Sequence, residues 1–418
     1  MLDHQHTLKE RIKVDIRKNR QRIEKLGPGI ITGGAGDDPA GIVTCTIVGA
    51  TTGFSLLWLL FLSTPMMIAV QNSIVRIAIV TGKSLPELTT AFYSKKMTTI
   101  MIVILAIANI LTIGADLQAL ASILGIIMGK ESVYFLIPIT ALIAYLVMYH
   151  SYRTIKRTLL FFTLVLSVYI VNAFLAKPDV LKVLENTFIP HIQMHSAWII
   201  AALGLLGTTI SPYLLFWQAA EEREEKKTVV QAQSVQTDTM VGMAYSTLLE
   251  YCMIISGAAV LYGQVGDLQT MGDIALALKP LSNHYAFLLF SLGVIVSGLL
   301  AIPVLAGSTA YAVADAFGWR AGMDNKVSDA KGFYLVFIGA LLIGDLINIS
   351  SISTVDALYY SQVLDGILLP VLIVIVLLLA NNKKIMGEYT NTKFNNAFSI
   401  FTFFVTLSLS MIMFWQLL

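Results

Sequence analysis

GPGIITGGAGDDPAGIVTCTIVGA, from Gly27 to Ala50, is an apolar segment interrupted near its centre by two acidic residues and a proline. A second segment, AALGLLGTTISPYLLFWQAAEE from Ala201 to Glu222, has a serine before its proline. Asp and Ser favour the N-cap of a helix, and proline suits its first position. Each segment is therefore predicted to form two half-helices around an unwound joint: Asp38-Pro39 in the first and Ser211-Pro212 in the second.

Apolar runs of about 20 residues recur along the whole chain, and each is long enough to cross a bilayer as a helix. Only 13% of the 418 residues are charged and 56% are apolar, whereas soluble domains average about 25% charged residues. This balance excludes an ordinary soluble enzyme. Lipid offers no partner for backbone polar groups, so the spans must be helical. We predict an all-α integral membrane protein with about eleven spans: 28–53, 55–81, 98–128, 132–150, 158–176, 197–220, 240–263, 286–317, 332–352, 357–381 and 395–417.

The two broken segments are the first and sixth spans, so two units of five spans follow each other. Because five is odd, the second unit enters the membrane from the opposite side, and an inverted repeat results. Broken helices of such repeats meet near the bilayer midplane and form the binding site of many transporters. The predicted units are a basic cytoplasmic arm (1–26), repeat 1 (27–176), repeat 2 (177–381), and a cytoplasmic loop with helix eleven (382–418).

Basic residues are distributed unevenly between the loops. The first 26 residues carry eight Lys and Arg, and with this arm in the cytoplasm the loops on the same side hold most of the others. The loops on the opposite side hold only Lys130, Lys177, Lys182 and Lys279. The positive-inside rule therefore predicts a multi-pass protein of the plasma (inner) membrane with a cytoplasmic N-terminus and an outside C-terminus.

Asp38 is the strongest candidate for chemistry because it lies on the first joint. A charged group at mid-membrane is costly and indicates a functional site. An ionised carboxylate beside exposed carbonyl oxygens forms an oxygen-rich cage that suits a hard cation. Asp37 is the adjacent candidate, although consecutive residues near a helix start point in different directions.

At these positions the chain resembles the NRAMP family of divalent metal transporters. The family's first span carries Gly-Pro and, eleven residues after that Gly, the Asp of Asp-Pro-Gly-Asn. Its sixth span carries Gly-Ala-Thr-x-Met-Pro-His-Asn, and its tenth a Ser-Gln-Val pattern followed by proline. The matching positions here are Gly27-Pro28 and Asp38-Pro39, then 207–214, then Ser361-Gln362-Val363 and Pro370. The resemblance extends from Gly27 onward and implies a leucine-transporter-like inverted 5+5 fold that carries a divalent metal cation.

The resemblance also assigns a metal site, in which two positions differ from the family pattern. The family's metal-binding Asn is Gly41 here, and its metal-binding Met, a soft thioether, is Ser211. Loss of a soft ligand is expected to shift preference toward a hard ion. Magnesium retains several waters when bound, and small side chains leave room for them. These features resemble the NRAMP-related magnesium transporters. The predicted metal site comprises Asp38, Gly41, Gly207, Thr208, Ser211 and Gln362, with the carbonyls near 207 and 208 as ligands.

Proton coupling requires titratable groups, and several of the family's are replaced. The third-span Asp is kept as Asp116, but the Glu three residues on is Ala119. The two sixth-span histidines are Tyr213 and Gln218, which do not titrate near neutral pH. Weak or absent proton coupling is therefore expected. Asp116 and the neighbour of Asp38, Asp37, are kept as a possible second ligand or proton path.

Further acidic residues lie on the spans. Glu250 and Asp365 fall within spans seven and ten, where pairing with a polar neighbour is the simpler expectation and a functional role the alternative. The acidic run 221–225 ends span six. It is expected to be a solvated helix end, with a cation-attracting exit as the alternative.

The expected function is alternating-access transport of partly hydrated Mg²⁺, and also Mn²⁺, by a protein that is not an enzyme. A proton-coupled Mn²⁺/Fe²⁺ transporter of the ordinary NRAMP type stays open, since oxygen ligands suit manganese too. A sodium-coupled amino-acid transporter is disfavoured because Asp38 would repel a substrate carboxylate. A non-transporting metal receptor is the remaining alternative. The expected partners are the divalent ion and the lipid bilayer, with no cofactor, no nucleic acid and no implied oligomeric state.

Overall fold

The computed structural model describes residues 28–150, 152–263, 270–277, 284–348 and 352–417. The predicted basic arm lies outside these residues. The regular elements of the described ranges are helical, with one short 3-10 turn at Val229–Gln231. The eighteen α-helices found there are α1 (Pro28–Gly36), α2 (Pro39–Thr52), α3 (Leu57–Thr81), α4 (Leu85–Phe92), α5 (Lys95–Met128), α6 (Val133–Tyr149), α7 (Tyr152–Val165), α8 (Val168–Leu175), α9 (Val180–Phe188), α10 (Ser196–Thr209), α11 (Pro212–Glu224), α12 (Ala232–Leu261), α13 (Met271–Ala277), α14 (His284–Phe317), α15 (Lys331–Ile347), α16 (Thr354–Ala380), α17 (Lys383–Met386) and α18 (Lys393–Leu417).

Each of the eleven predicted spans corresponds to a helix or a pair of helices. Eight helical segments of the described ranges are long and apolar enough to cross a membrane. The other three predicted spans are the broken pair α1–α2 and the 17-residue helices α6 and α15. The predicted fifth span is divided into α7 and α8, since the chain turns at Leu166 and Ser167. The prediction of an all-α membrane protein is confirmed.

The first break falls where the sequence predicts it. α1 ends at Gly36 and α2 begins at Pro39, so Asp37 and Asp38 form the joint. Asp38 is the N-cap of α2, and its Oδ1 accepts a hydrogen bond of 2.5 Å from the Gly41 amide. This bond satisfies one of the backbone amides that a helix start leaves without a partner. The Asp38 carboxylate therefore stabilises the break in the helix.

The second break, between α10 and α11, is held differently. Ser211 occupies the N-cap position of α11, but its side chain makes no capping bond. Its hydroxyl instead turns back to the end of α10, 2.6 Å from the Thr208 carbonyl oxygen and 3.1 Å from that of Gly207. These carbonyls belong to the last turn of α10, where intrahelical partners run out. Ser211 thus closes the helix before it rather than capping the one after it.

Close backbone contacts place α12 beside the first broken span. A Cβ on Gly33 of α1 would lie 2.2 Å from the Gly242 carbonyl oxygen, and one on Gly49 of α2 would lie 2.3 Å from that of Ile254. Only glycine allows helices to approach so closely. Positions 242, 246, 250 and 254 follow at four-residue intervals and so share one helix face. Residues 246 and 250 therefore face the joint between α1 and α2.

The second broken span packs against α16 in the same way. A Cβ on Gly207 would lie 1.9 Å from the Gln362 carbonyl oxygen, and one on Gly366 would lie 2.4 Å from that of Leu203. The two backbones therefore touch, and Gln362 is brought to the level of the second joint.

The broken helices are the first and sixth spans, as the inverted 5+5 repeat requires. The repeat boundaries proposed after residues 26, 176 and 381 stay a prediction.

Candidate cation site

The two broken helices meet at Gly41 and Thr208. A Cβ on Gly41 would lie 2.5 Å from the Thr208 Oγ1, 3.1 Å from the Asp38 Oδ1 and 3.2 Å from the Gly36 carbonyl oxygen. Three oxygen atoms, one from each side of the first joint and one from α10, therefore border the same small volume. The fold brings Thr208 next to Asp38 and Gly41, although Asp38 and Thr208 are 170 positions apart along the chain.

Asp38 is completely buried and reaches the second broken span through Tyr213. The Tyr213 hydroxyl lies 3.4 Å from the Asp38 Oδ2 and donates a shorter bond, of 2.6 Å, to the Ala35 carbonyl. Tyr213 stands where the resemblance places a histidine. The residue therefore links the two joints by hydrogen bonding and does not supply an imidazole.

Two more carboxylates lie near Asp38. The Asp116 Oδ1 of α5 accepts a hydrogen bond of 3.0 Å from the Ala40 amide, and its Oδ2 has no hydrogen-bond partner. Asp365 of α16 is also buried, with an Oδ1 that lacks a partner. Both lie within electrostatic range of Asp38. The expectation that Asp365 pairs with a polar neighbour is not met at this oxygen.

Neutral polar groups without partners complete this region. The side-chain amide of Gln362 has no hydrogen-bond partner at either its oxygen or its nitrogen, and the Thr208 hydroxyl has none. Both side chains are buried. Buried polar atoms are normally satisfied, so orphaned ones indicate a missing ion or water. The available donors are carboxylate, hydroxyl, amide and carbonyl oxygens.

Asp37 points away from this group, as its position next to Asp38 predicts. Its carboxylate lies beside Ser246 and Glu250 of α12. The Glu250 Oε2 accepts a hydrogen bond of 3.0 Å from the Thr209 Oγ1, which confirms a polar partner for Glu250. Asp37 and Glu250 therefore form an acidic pair next to Asp38, with which both interact electrostatically.

The surroundings of these acids contain few groups that could neutralise them. Among the buried residues of the described ranges there is no Lys, Arg or His. Within the same ranges no three Asp, Glu, His or Cys side chains are arranged as a preformed metal cluster. The five buried acids at the joints are Asp37, Asp38, Asp116, Glu250 and Asp365. Such acids are neutralised either by protons or by a cation from outside the chain.

Two residues of the predicted metal site, Gly207 and Ser211, have a structural role in the second joint. Ser211 already bonds there to the predicted carbonyl ligands. Each carbonyl retains a second lone pair. Sequence reasoning missed the Thr208 hydroxyl and the Tyr213 hydroxyl. The departure of Thr208 from the family's alanine was the signal for the first, and the departure of Tyr213 from histidine was the signal for the second.

The acidic run at the end of α11 corrects an expectation. Glu221 and Glu222 are 1% exposed, so this is not a solvated helix end. Arg223 donates to the Asp315 Oδ2 of α14 at 2.7 Å and lies 3.5 Å from the Glu87 Oε2 of α4. Because these partners come from two other helices, the run is packed into the bundle end.

Comparison with known proteins agrees with this architecture. A sequence model of the family described as "Natural resistance-associated macrophage protein-like" matches residues 29–416. A divalent metal cation transporter MntH of Caldanaerobacter subterraneus subsp. tengcongensis is 25% identical over 390 residues, or 88% of this chain and 87% of the relative.

Solved structures share the fold. A manganese transporter of Eremococcus coleocola superposes with a TM-score of 0.77 at 16% identity, over 93% of this chain and 86% of the other. Mhp1, a nucleobase-cation-symport-1 family transporter, superposes with a TM-score of 0.61 at 11% identity, over 94% and 92%. Because the family model spans nearly the whole chain, the protein belongs to the Nramp family.

Proposed function

We propose that this protein carries divalent metal cations across the membrane, with Mg²⁺ as its preferred substrate and Mn²⁺ as a second one. The proposed ligands are the Asp38 carboxylate, the Thr208 hydroxyl and carbonyl, the Gly207 carbonyl and the Gln362 amide. Gly41 and Ser211 shape the site through their small size. The related proteins named as divalent metal and manganese transporters support the divalent class.

One observation carries the preference for a hard ion. The donors gathered at the joints are oxygen atoms, and Ser211 stands where the family resemblance expects a thioether. Hard cations prefer such donors, whereas thioethers favour softer transition metals. Asp38 is the one carboxylate among the proposed ligands, with Asp116 and Asp365 as acidic neighbours, and the small side chains leave part of the ion's coordination to water. This arrangement suits Mg²⁺, which gives up its waters reluctantly.

Transport requires the joints to open. Asp38, Thr208, Ser211 and Gln362 are buried in the described conformation, so an ion reaches them only when the half-helices move. Alternating access in inverted repeats is such a movement around a fixed site. The partly hydrated ion would enter from one side and leave after the other side opens.

Proton coupling is proposed to be weak or absent. Tyr213 and Gln218 replace titrating side chains, and both are engaged in hydrogen bonds. The amide of Gln218 bonds to Thr239 at 2.7 Å and accepts from Gln71 at 2.7 Å. Such a network holds fixed donors and acceptors and releases no proton near neutral pH. The positive-inside pattern supports a plasma-membrane protein with its N-terminus inside.

The test is ion influx into proteoliposomes containing the purified protein. A magnesium-sensitive dye should report Mg²⁺ entry and calcein quenching should report Mn²⁺ entry, while Asp38→Asn vesicles should show neither. Transport of Mn²⁺ and Cd²⁺ without Mg²⁺ would instead support an ordinary Nramp selectivity. Uptake of labelled amino acids without any divalent ion would reject the metal assignment altogether.

A further inference from the structure

A second pair of buried acids lies behind the first joint, on the side facing α12. Asp37 and Glu250 are each 1% exposed. The Glu250 Oε1 has no hydrogen-bond partner, and no donor lies at hydrogen-bonding distance with good geometry from either oxygen of Asp37, whose polar neighbour is the Ser246 hydroxyl. The pair thus has more buried acceptor oxygens than donors, although buried polar atoms normally have partners.

These oxygens are held close to one another by the packing of α12. Ser246 and Glu250 lie one helical turn apart on the face between the contacts at Gly242 and Ile254. Both lie beside the Asp37 carboxylate. The Thr209 hydroxyl lies 3.0 Å from the Glu250 Oε2 and 2.7 Å from the Leu205 carbonyl oxygen, so its one hydrogen serves two acceptors. Residues of α10, α12 and the first joint therefore surround one small acidic volume.

This volume adjoins the Asp38 site, but different side chains border it. Asp38 directs its Oδ1 to the Gly41 amide at 2.5 Å and has its Oδ2 near Tyr213. Its acidic neighbours include Asp116 and Asp365, on α5 and α16, and Asp37 and Glu250 also lie within its electrostatic range. Among the acids near Asp37, Glu250 has the largest electrostatic interaction with it. Asp37 and Asp38 therefore contact different side chains, although the two carboxylates interact electrostatically.

A buried acid pair is neutralised either by protons or by a bound cation. Two carboxylates in a low-dielectric interior repel each other, and burial of an uncompensated charge is costly. No Lys, Arg or His is buried anywhere in the described ranges. The donors on offer are two carboxylates with the Ser246 and Thr209 hydroxyls. Oxygen-only donors select hard ions, and two negative charges match a divalent one.

We propose that Asp37, Ser246 and Glu250, together with the Thr209 hydroxyl, form a second site for a hard divalent cation. An ion bound there links the first joint to α12 and neutralises the acid pair in the closed conformation. The site is separate from the Asp38 site, and it goes beyond the transport function proposed for that residue.

The experiment counts Mn²⁺ ions bound to the purified full-length protein by electron paramagnetic resonance titration. The wild type should bind two Mn²⁺ per chain, and Glu250→Gln, which can still accept the Thr209 hydrogen bond, should bind one. Asp37→Asn, which removes the other carboxylate of the pair, should also bind one Mn²⁺ per chain. Asp345→Asn is the matched control, since Asp345 is a buried acid whose partner is Thr140 at 2.8 Å, and it should retain two.

Different outcomes of this titration contradict the second cation site and the Asp38 transport site. Wild type with a single Mn²⁺, or a Glu250→Gln variant that retains two, would overturn the second site. A folded Glu250→Gln variant that binds none would also overturn it, because the acids would then form one shared site. Asp38→Asn should lose one ion while keeping the second, and retention of both would count against the proposed transport site alone. Size-exclusion profiles confirm that each variant is folded.

Discussion

The Thr208 Oγ1 of α10 lies 2.5 Å from the point where a Cβ on Gly41 of α2 would stand. Relative to the family pattern, Gly41 stands in place of a larger Asn and Thr208 in place of a smaller Ala. The polar group at this crossing therefore comes from α10 instead of α2. Ser211 bonds to the Thr208 carbonyl beside this contact.

Gly41→Asn should disrupt the site, because its side chain would collide with Thr208. Overpacking of this kind costs about 1–3 kcal/mol, so the variant should unfold at a lower temperature than wild type. Adding Thr208→Ala should relieve the collision and restore thermal stability. The double variant should also favour Mn²⁺ over Mg²⁺ more than wild type does. Equal melting temperatures for all three proteins would contradict the packing argument.

Ser211→Met should raise the affinity for Cd²⁺ and Mn²⁺ relative to Mg²⁺ by about tenfold, or roughly 1.4 kcal/mol, because it adds a soft thioether. It also removes the hydroxyl that bonds to the Thr208 carbonyl at 2.6 Å. Ser211→Ala is the control, since it removes that hydroxyl without adding sulfur. Competition by Cd²⁺ during Mg²⁺ influx measures the change. If the alanine variant shifts selectivity as much as the methionine variant, softness is not the cause.

Asp38→Asn should abolish Mg²⁺ and Mn²⁺ influx while leaving the fold intact. Asn keeps the ability to cap α2 at the Gly41 amide but removes the charge that neutralises the ion. Asp38→Ala should lose the cap as well and be less stable than Asp38→Asn by about 1 kcal/mol. Dye influx and thermal unfolding measure the two effects separately. Wild-type influx through Asp38→Asn would refute the ligand role.

Arg223→Met should loosen the bundle end around α11. Arg223 is 18% exposed at its side chain and bonds to Asp315, which is 9% exposed. Breaking a partly buried pair leaves Asp315 without its counter-charge, at a cost of about 1–3 kcal/mol after allowance for solvent. The double variant with Asp315→Asn should recover part of this loss. A melting temperature unchanged in Arg223→Met would show that the ion pair contributes little.

The pH inside the vesicles should stay constant during Mg²⁺ influx. The positions of two family histidines hold Tyr213 and Gln218, and the family's third-span glutamate is Ala119. A proton path needs groups that accept and release protons in turn. A pyranine trace recorded beside the magnesium signal tests this, with a proton ionophore as positive control. Acidification that depends on Mg²⁺ would contradict weak coupling.

Local signals in the sequence were sufficient for the scaffold of the site. Asp38-Pro39 and Ser211-Pro212 marked both breaks, because capping preference and proline geometry act within a few residues. The family resemblance then singled out Gly41 and Ser211 as changed positions. These inferences did not require knowledge of which helices pack together.

Contacts between distant segments could not be predicted in the same way. Glu250 was visible as an acid within a span, but its place beside Asp37 depends on α12 lying against α1 and α2. The burial of Glu221 and Glu222 likewise depends on α4 and α14 closing around the end of α11. Sequence spacing carries no information about such neighbours, since helix faces meet only through three-dimensional packing.

The amino-acid sequence by itself determined that this chain crosses the membrane about eleven times, breaks its first and sixth spans, and places Asp38 at a joint. Hydrophobic length, proline geometry and helix capping are properties of short segments and need no partner. Only the tertiary structure decided that Thr208 meets Gly41, that Ser211 bonds backward to α10, and that Asp37 faces Glu250. Those relations arise because glycine contacts bring particular helix backbones together, which fixes the side chains that share a buried space.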